Sequence, residues 1–118
     1  MLTGNNVMIA GFTLGNSIAP TNLVVRGRGP SLSSFFGNVL ADPTLELRDA
    51  NGMLITANDN WQDDPVSAAL LTAKGLGLSD PKESGIYAAL LLPGQYTAIV
   101  AGKNGGTGIA LVEVYNVK

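Results

Sequence analysis

The stretch "TLELRDANGMLITA", residues 44–57, decides the fold class. In "TLELRD" apolar and polar residues alternate, so Leu45 and Leu47 share one face of an extended chain while Glu46 and Arg48 share the other. A strand patterned this way buries one side and presents the other to water, as antiparallel sheets do. "ANGM" follows, and its Asn51-Gly52 pair tolerates the positive φ of a two-residue hairpin turn. Met53 to Ala57 then returns antiparallel to the first strand.

Working outward, short β-branched and apolar runs recur between clusters of Gly, Pro, Asn and Asp, the spacing of an antiparallel sandwich or barrel. A first strand is expected over Asn6 to Leu14 and a second over Asn22 to Arg28, with "GNSIAP" turning between them. "GPSLSSFFGNVLADP" reads as a long connection from one sheet to the other, with Phe35 and Phe36 as its anchors in the core. Downstream, "DPVSAALLTAKGLG" predicts one short helix: Asp64 caps it, Pro65 opens its first turn and Gly75 stops it. "SGIYAALLLPGQYTAIVAG" and "AGKNGGTGIALVEVY" are read as two further hairpins. The first would turn at Pro93-Gly94 in type II geometry, the second at Asn104, Gly105 and Gly106. The last strand, Gly108 to Val117, is apolar on both faces and is therefore expected at the centre of a sheet. The expectation is all-β, with seven strands and one helix.

At 118 residues the chain is the size of one domain, 1–118. Hydrophobic residues make up 46% and charged residues 14%, too apolar for a disordered chain. Gly, Asn and Asp interrupt every apolar run before it reaches membrane-spanning length, so no membrane insertion is expected. A net charge of -2 and a pI near 4.8 supply no footprint for nucleic acid. Cysteine and histidine are both absent, which removes thiol and imidazole catalysis and the usual zinc ligands. A metal site would have to be built from oxygen ligands, the chemistry of calcium or magnesium. The start, "MLTGNNVMIAGF", has neither the basic residues nor the apolar run of a secretory signal peptide. It is read as the start of a mature or excised domain, with a complete cytosolic protein as the alternative.

Two constellations are candidate sites. "NDNWQDD", residues 58–64, gathers amides and carboxylates around the single tryptophan. Calcium ligation is one reading, although the spacing lacks the glycine and glutamate of an EF-hand loop. Trp61 as an aromatic platform for a glycan is another. The third is a polar bend of turn-forming residues in which Trp61 covers the end of the sandwich. In "VVRGRGPS", Arg26 and Arg28 lie two apart and so on one strand face. They would clasp a carboxylate of a partner or an acidic glycan, or pair internally with Glu46, Asp49 or Glu113. The glycine-rich runs match no phosphate-binding motif and are read as turns. Asp63 with Asp64, and Asp59 with Glu113, are the carboxylate pairs open to acid-base work. Neither pattern suggests a cleft, and no enzymatic activity is expected.

Taken together, "DPTLELRDANGMLITANDNW" and "LLPGQYTAIVAGKNGGTGIALVEVY" resemble a bacterial extracellular β-sandwich module of unassigned role, found often near the C-terminus of large secreted or surface proteins. The resemblance spans nearly the whole chain, including "VVRGRGPSL". More distantly, the chain is similar to bacterial pre-peptidase C-terminal domains through Asp42, Leu45, Leu47, Asp49, Gly52, Asn58, Asp59, Pro93, Gly94 and Tyr96. The resemblance implies a jelly-roll-like sandwich that accompanies other domains outside the cell and is not itself catalytic. It also implies a calcium site on Asp42, Asp49, Asn58 and Asp59, because some relatives bind calcium or polymeric ligands. The expected function is binding or attachment, to a protein or glycan at a cell surface. The alternative is a structural subunit that self-assembles as a homo-oligomer through its strand edges into an extracellular fibre or shell.

Overall fold

The computed structural model describes residues 8–14, 21–35, 37–78, 80–91, 94–103 and 108–117. Strand β3 (Pro43–Asp49) follows the alternation read from its sequence. Leu45 and Leu47 are fully buried, while Glu46 and Arg48 point outward and form an ion pair at 2.9 Å. Its hairpin partner is β4 (Leu54–Asn58). Asp49 and Met53 close the turn between them, which holds three residues, Ala50 to Gly52, not two. Asp49 N donates to Met53 O, Gly52 N donates to Asp49 O, and Gly52 takes a φ of 78°. The extra residue is accommodated because Asp49 Oδ1 accepts from the amides of both Asn51 and Met53, closing the loop from below.

The remaining strands are β1 (Met8–Leu14), β2 (Thr21–Arg28), β5 (Ser84–Leu91), β6 (Gly94–Gly102) and β7 (Leu111–Val117). They form a four-stranded sheet in the order β1-β6-β3-β4 and a three-stranded sheet in the order β5-β2-β7, with every strand pair antiparallel. The pairs are nested: β1 with β6, β2 with β5, β3 with β4, alternating between sheets. A long hairpin folded over itself gives this order, which makes the sandwich jelly-roll-like. Between the sheets, Leu14, Leu23, Val25, Leu45, Leu47, Ile86, Ala98 and Val100 interlock as the main core. Each of the Leu, Val and Ile side chains among them contributes about 1.5–3 kcal/mol by leaving water.

Several expectations need correction. β5 and β6 lie in different sheets, as do β6 and β7, so the last two connections cross the sandwich and are not hairpins. Pro93 and Asn104 to Gly106 lie outside the described residues, and Gly94 is already the first residue of β6. β7 is an edge strand, with β2 at the centre of the sheet. Its apolar residues face two ways because the sheet has a core on each side: Val112 and Val114 meet the main core, and Tyr115 a second one. In the connection after β2, Phe35 is 76% exposed, while Leu32 and Leu40 are the buried anchors. Phe36 lies outside the described residues.

The helix α1 (Pro65–Ala73) forms as its sequence dictates. Asp64 Oδ1 accepts from the amides of Val66 and Ser67, and Gly75 ends the helix at a φ of 73°. α1 lies on the outer face of the three-stranded sheet, where Trp61, Leu71 and Leu78 close over Val24 with Tyr87 and Tyr115 alongside. This second core seals that face on the β5 side.

Candidate functional site

Four elements converge at one end of the sandwich: the entry to β3, the exit of β4, the entry to β5 and the exit of β6. Asp42 immediately precedes β3 and Asp59 immediately follows β4, which brings their carboxyl groups into hydrogen-bonding reach. Lys103, just after β6, donates from Nζ to Asp59 Oδ2 at 2.6 Å, and its amide donates to Asp42 O. Burial, then the hydrogen bond and charge of Asp59, hold the Asp42 carboxyl above its ordinary value of 3.8 against the opposite pull of Lys103 and Lys82. Asp59, chiefly through its hydrogen bond, holds the Lys103 ammonium above 10.5.

The neighbouring amides are committed to stitching the sheets together. Asn58 Oδ1 accepts from Gly85 N and its Nδ2 donates to Asn60 O. Ser84 Oγ lies 2.7 Å from Asp59 O and 2.5 Å from Pro43 O, within reach of donating to either. Trp61 N donates to Glu83 O. Glu83 itself is fully buried, and its Oε2 accepts from the amides of Gly29 and Ser31 and from the Ser31 hydroxyl. The "NDNW" stretch thus works as a clasp between β4 and β5.

Of the residues implicated in calcium binding, the fold brings together Asp42, Asn58 and Asp59 but not Asp49. Asp49 sits at the far end of β3, seven residues from Asp42, roughly 20 Å away in an extended chain. The Oδ1 atoms of Asp42 and Asp59 are buried without a partner among the described residues. Two carboxylates fall well short of the six to eight oxygens calcium takes, and the Lys103 ammonium already stands against one of them. Among the described residues no group of three or more acidic, Cys or His side chains is arranged to hold a metal ion.

The proposed ligand-binding side chains turn inward. Trp61 is only 7% exposed, packed beneath the helix layer, and no platform for a glycan. Its size explains this: a large aromatic side chain gains most by turning beneath α1 against Val24, Leu71 and Leu78. Arg26 and Arg28 share Glu113 as their partner. Arg26 Nη2 is 2.6 Å from Glu113 Oε1 and Arg28 Nη1 is 3.4 Å from Oε2. Arg26 also donates to Leu76 O, and its guanidinium lies 5.5 Å from the centre of the Tyr115 ring. The carboxylates considered as acid-base pairs have separate duties, Asp59 toward Lys103, Glu113 toward the arginines and Asp64 at the helix cap.

What remains open among the described residues is the outer face of the four-stranded sheet. The pairing register puts Gly11, Thr97 and Arg48 in one row across β1, β6 and β3, with Thr13 and Gln95 in the row beside it. On β1 the outward residues Ile9, Gly11 and Thr13 are all exposed. A groove of about 310 Å³ lies over Gly11, bordered by Thr13, Gln95, Thr97 and the Asp49-Ala50 turn. Sequence reasoning passed over this surface, although a glycine inside a strand pattern is itself a sign of close approach by a backbone or ligand. Glu83, Ser84 and Lys103 were also missed, and their partners lie too far away in sequence to have been read from it. Comparison with protein-family models, with curated proteins and with solved structures found no match.

Proposed function

We propose that the chain is a non-catalytic β-sandwich module that works outside the cell by binding or attachment, to a surface polymer or to a neighbouring protein domain. The observation that carries this reading is the difference between the outer faces of the two sheets. One is covered by the chain's own helix and Trp61, while the β1-β6-β3-β4 face is left open among the described residues, with small and hydroxylated side chains around Gly11. The groups best suited to chemistry, Arg26, Arg28, Asp59 and Glu113, are engaged in ion pairs that hold the fold, which favours contact over catalysis. Placement outside the cell rests on the sequence resemblance. Co-sedimentation of the purified chain with insoluble peptidoglycan, chitin and cellulose tests the reading. Retention on one of them is expected; failure to bind any polymer or purified surface protein would overturn it.

A second reading, assembly through strand edges, is favoured by one observation. The edge strand β4 and the residue before it expose Met53 (66%), Leu54 (50%) and Ile55 (39%), an uncharged apolar run of the kind that pairs with another chain. Sedimentation velocity across a concentration series separates the two: growing species that vanish in Leu54→Lys support assembly.

A further inference from the structure

We propose that the groove over Gly11 is a subsite for one unit of a neutral saccharide, an inference that rests on the binding-module reading and gives it a ligand class. Its floor is a strand pair with little side chain above it: a Cβ built at Gly11 meets nothing within 4 Å among the described residues, so the β1 backbone lies open to a ligand face. Its borders carry groups that both donate and accept, the hydroxyls of Thr13 and Thr97 and the amide of Gln95. The Asp49-Ala50 turn closes one end of the groove, with Asp49 Oδ1 already occupied by the amides of Asn51 and Met53. A ligand rich in hydroxyl groups can satisfy all of these at once.

Charge narrows the class further. The cation nearest the groove, Arg48, stands beside Thr97 in the register, but it is committed to Glu46 and to the Gly52 carbonyl. The described lining of the groove therefore offers an anionic ligand no uncommitted cation, which favours an uncharged one. The volume of about 310 Å³ is at the small end of ligand pockets, suited to a single ring of a longer chain.

The test is a titration of the isotope-labelled chain with cellohexaose, maltohexaose and chitohexaose, followed by amide chemical shifts. Saturable shifts at Gly11, Thr13, Gln95 and Thr97 are expected with at least one of them. Gly11→Leu fills the groove from a position with free space above it and should weaken binding roughly tenfold or more. Gln95→Ala, which removes one hydrogen-bonding partner, should weaken it roughly two- to tenfold. Should Gly11→Leu fail to fold, the shift map of the parent chain and Gln95→Ala decide the matter. Absence of shifts in the groove with all three saccharides, affinity indifferent to both substitutions, or shifts there only with peptides or anionic saccharides would overturn the proposal. If the chain still sediments with a polymer while the groove stays silent, this inference alone falls. If it binds nothing, the binding-module reading falls with it.

Discussion

Gly11 and Gly85 are both glycines within strands, both directed away from the main core, one on each sheet, and their surroundings are opposite. A Cβ at Gly85 would lie 2.8 Å from Leu71 Cδ1, 3.0 Å from Leu78 Cδ1 and 3.2 Å from Trp61 Cβ, because the helix layer rests directly on it. At Gly11 the same atom would meet nothing among the described residues. Missing side chains serve two ends here. On the three-stranded sheet the gap is filled by the protein itself, and on the four-stranded sheet it is left for something else.

The largest expected effect lies on the sealed side. Trp61→Ala removes the centre of the second core and should cost about 3–5 kcal/mol, read as a fall in the midpoint of denaturant unfolding. A loss under 1 kcal/mol would mean that the helix layer is not anchored as described. Gly85→Ala forces overlap with the side chains of Leu71, Leu78 and Trp61 and should cost about 1–3 kcal/mol. Its counterpart Gly11→Ala should be neutral or stabilise by about 0.5 kcal/mol, since glycine is a poor strand residue where no contact requires it. Equal effects at the two positions would erase the comparison.

Glu113→Gln leaves Arg26 and Arg28 half-buried without their shared carboxylate and should cost about 1–2 kcal/mol, between the values for surface and buried pairs. Charge at the Asp42 corner has a smaller effect with a defined sign. Because the folded chain holds the Asp42 proton more tightly than the unfolded chain, that group stabilises the fold below the ordinary carboxylate value of 3.8. The contribution disappears as pH rises through the folded-state value. Asp42→Asn should therefore compare more favourably with the parent at pH 7 than at pH 3 in paired thermal melts; the reverse order would contradict the assignment.

Local pattern carried much of the fold. The alternation at Leu45 to Arg48, the Asp64-Pro65 helix start and the Gly75 stop depend on neighbours in sequence, and each is present in the structure. Strand partners depend on distant residues, so β5, β6 and β7 looked like successive hairpins when in fact each connection changes sheets. The two-faced apolar pattern of β7 was ambiguous for a physical reason. A central strand and an edge strand lying between two cores bury side chains alike. The candidate site was legible only as a list of residue types. "NDNWQDD" did mark a junction, but its amides and Trp61 turned out to close it, since Gly85, Ser84, Glu83 and Lys103, their partners, lie some 20 to 45 positions further along the chain.

Hydrogen-deuterium exchange of the chain while bound to an insoluble polymer tests most directly the claim that the open β1-β6-β3-β4 face is the contact surface. Added protection should appear in β1, β6 and the β3-β4 hairpin, with α1 and β7 exchanging as in the free chain. Protection concentrated in α1 and β7, with β1 and β6 unchanged, would contradict it.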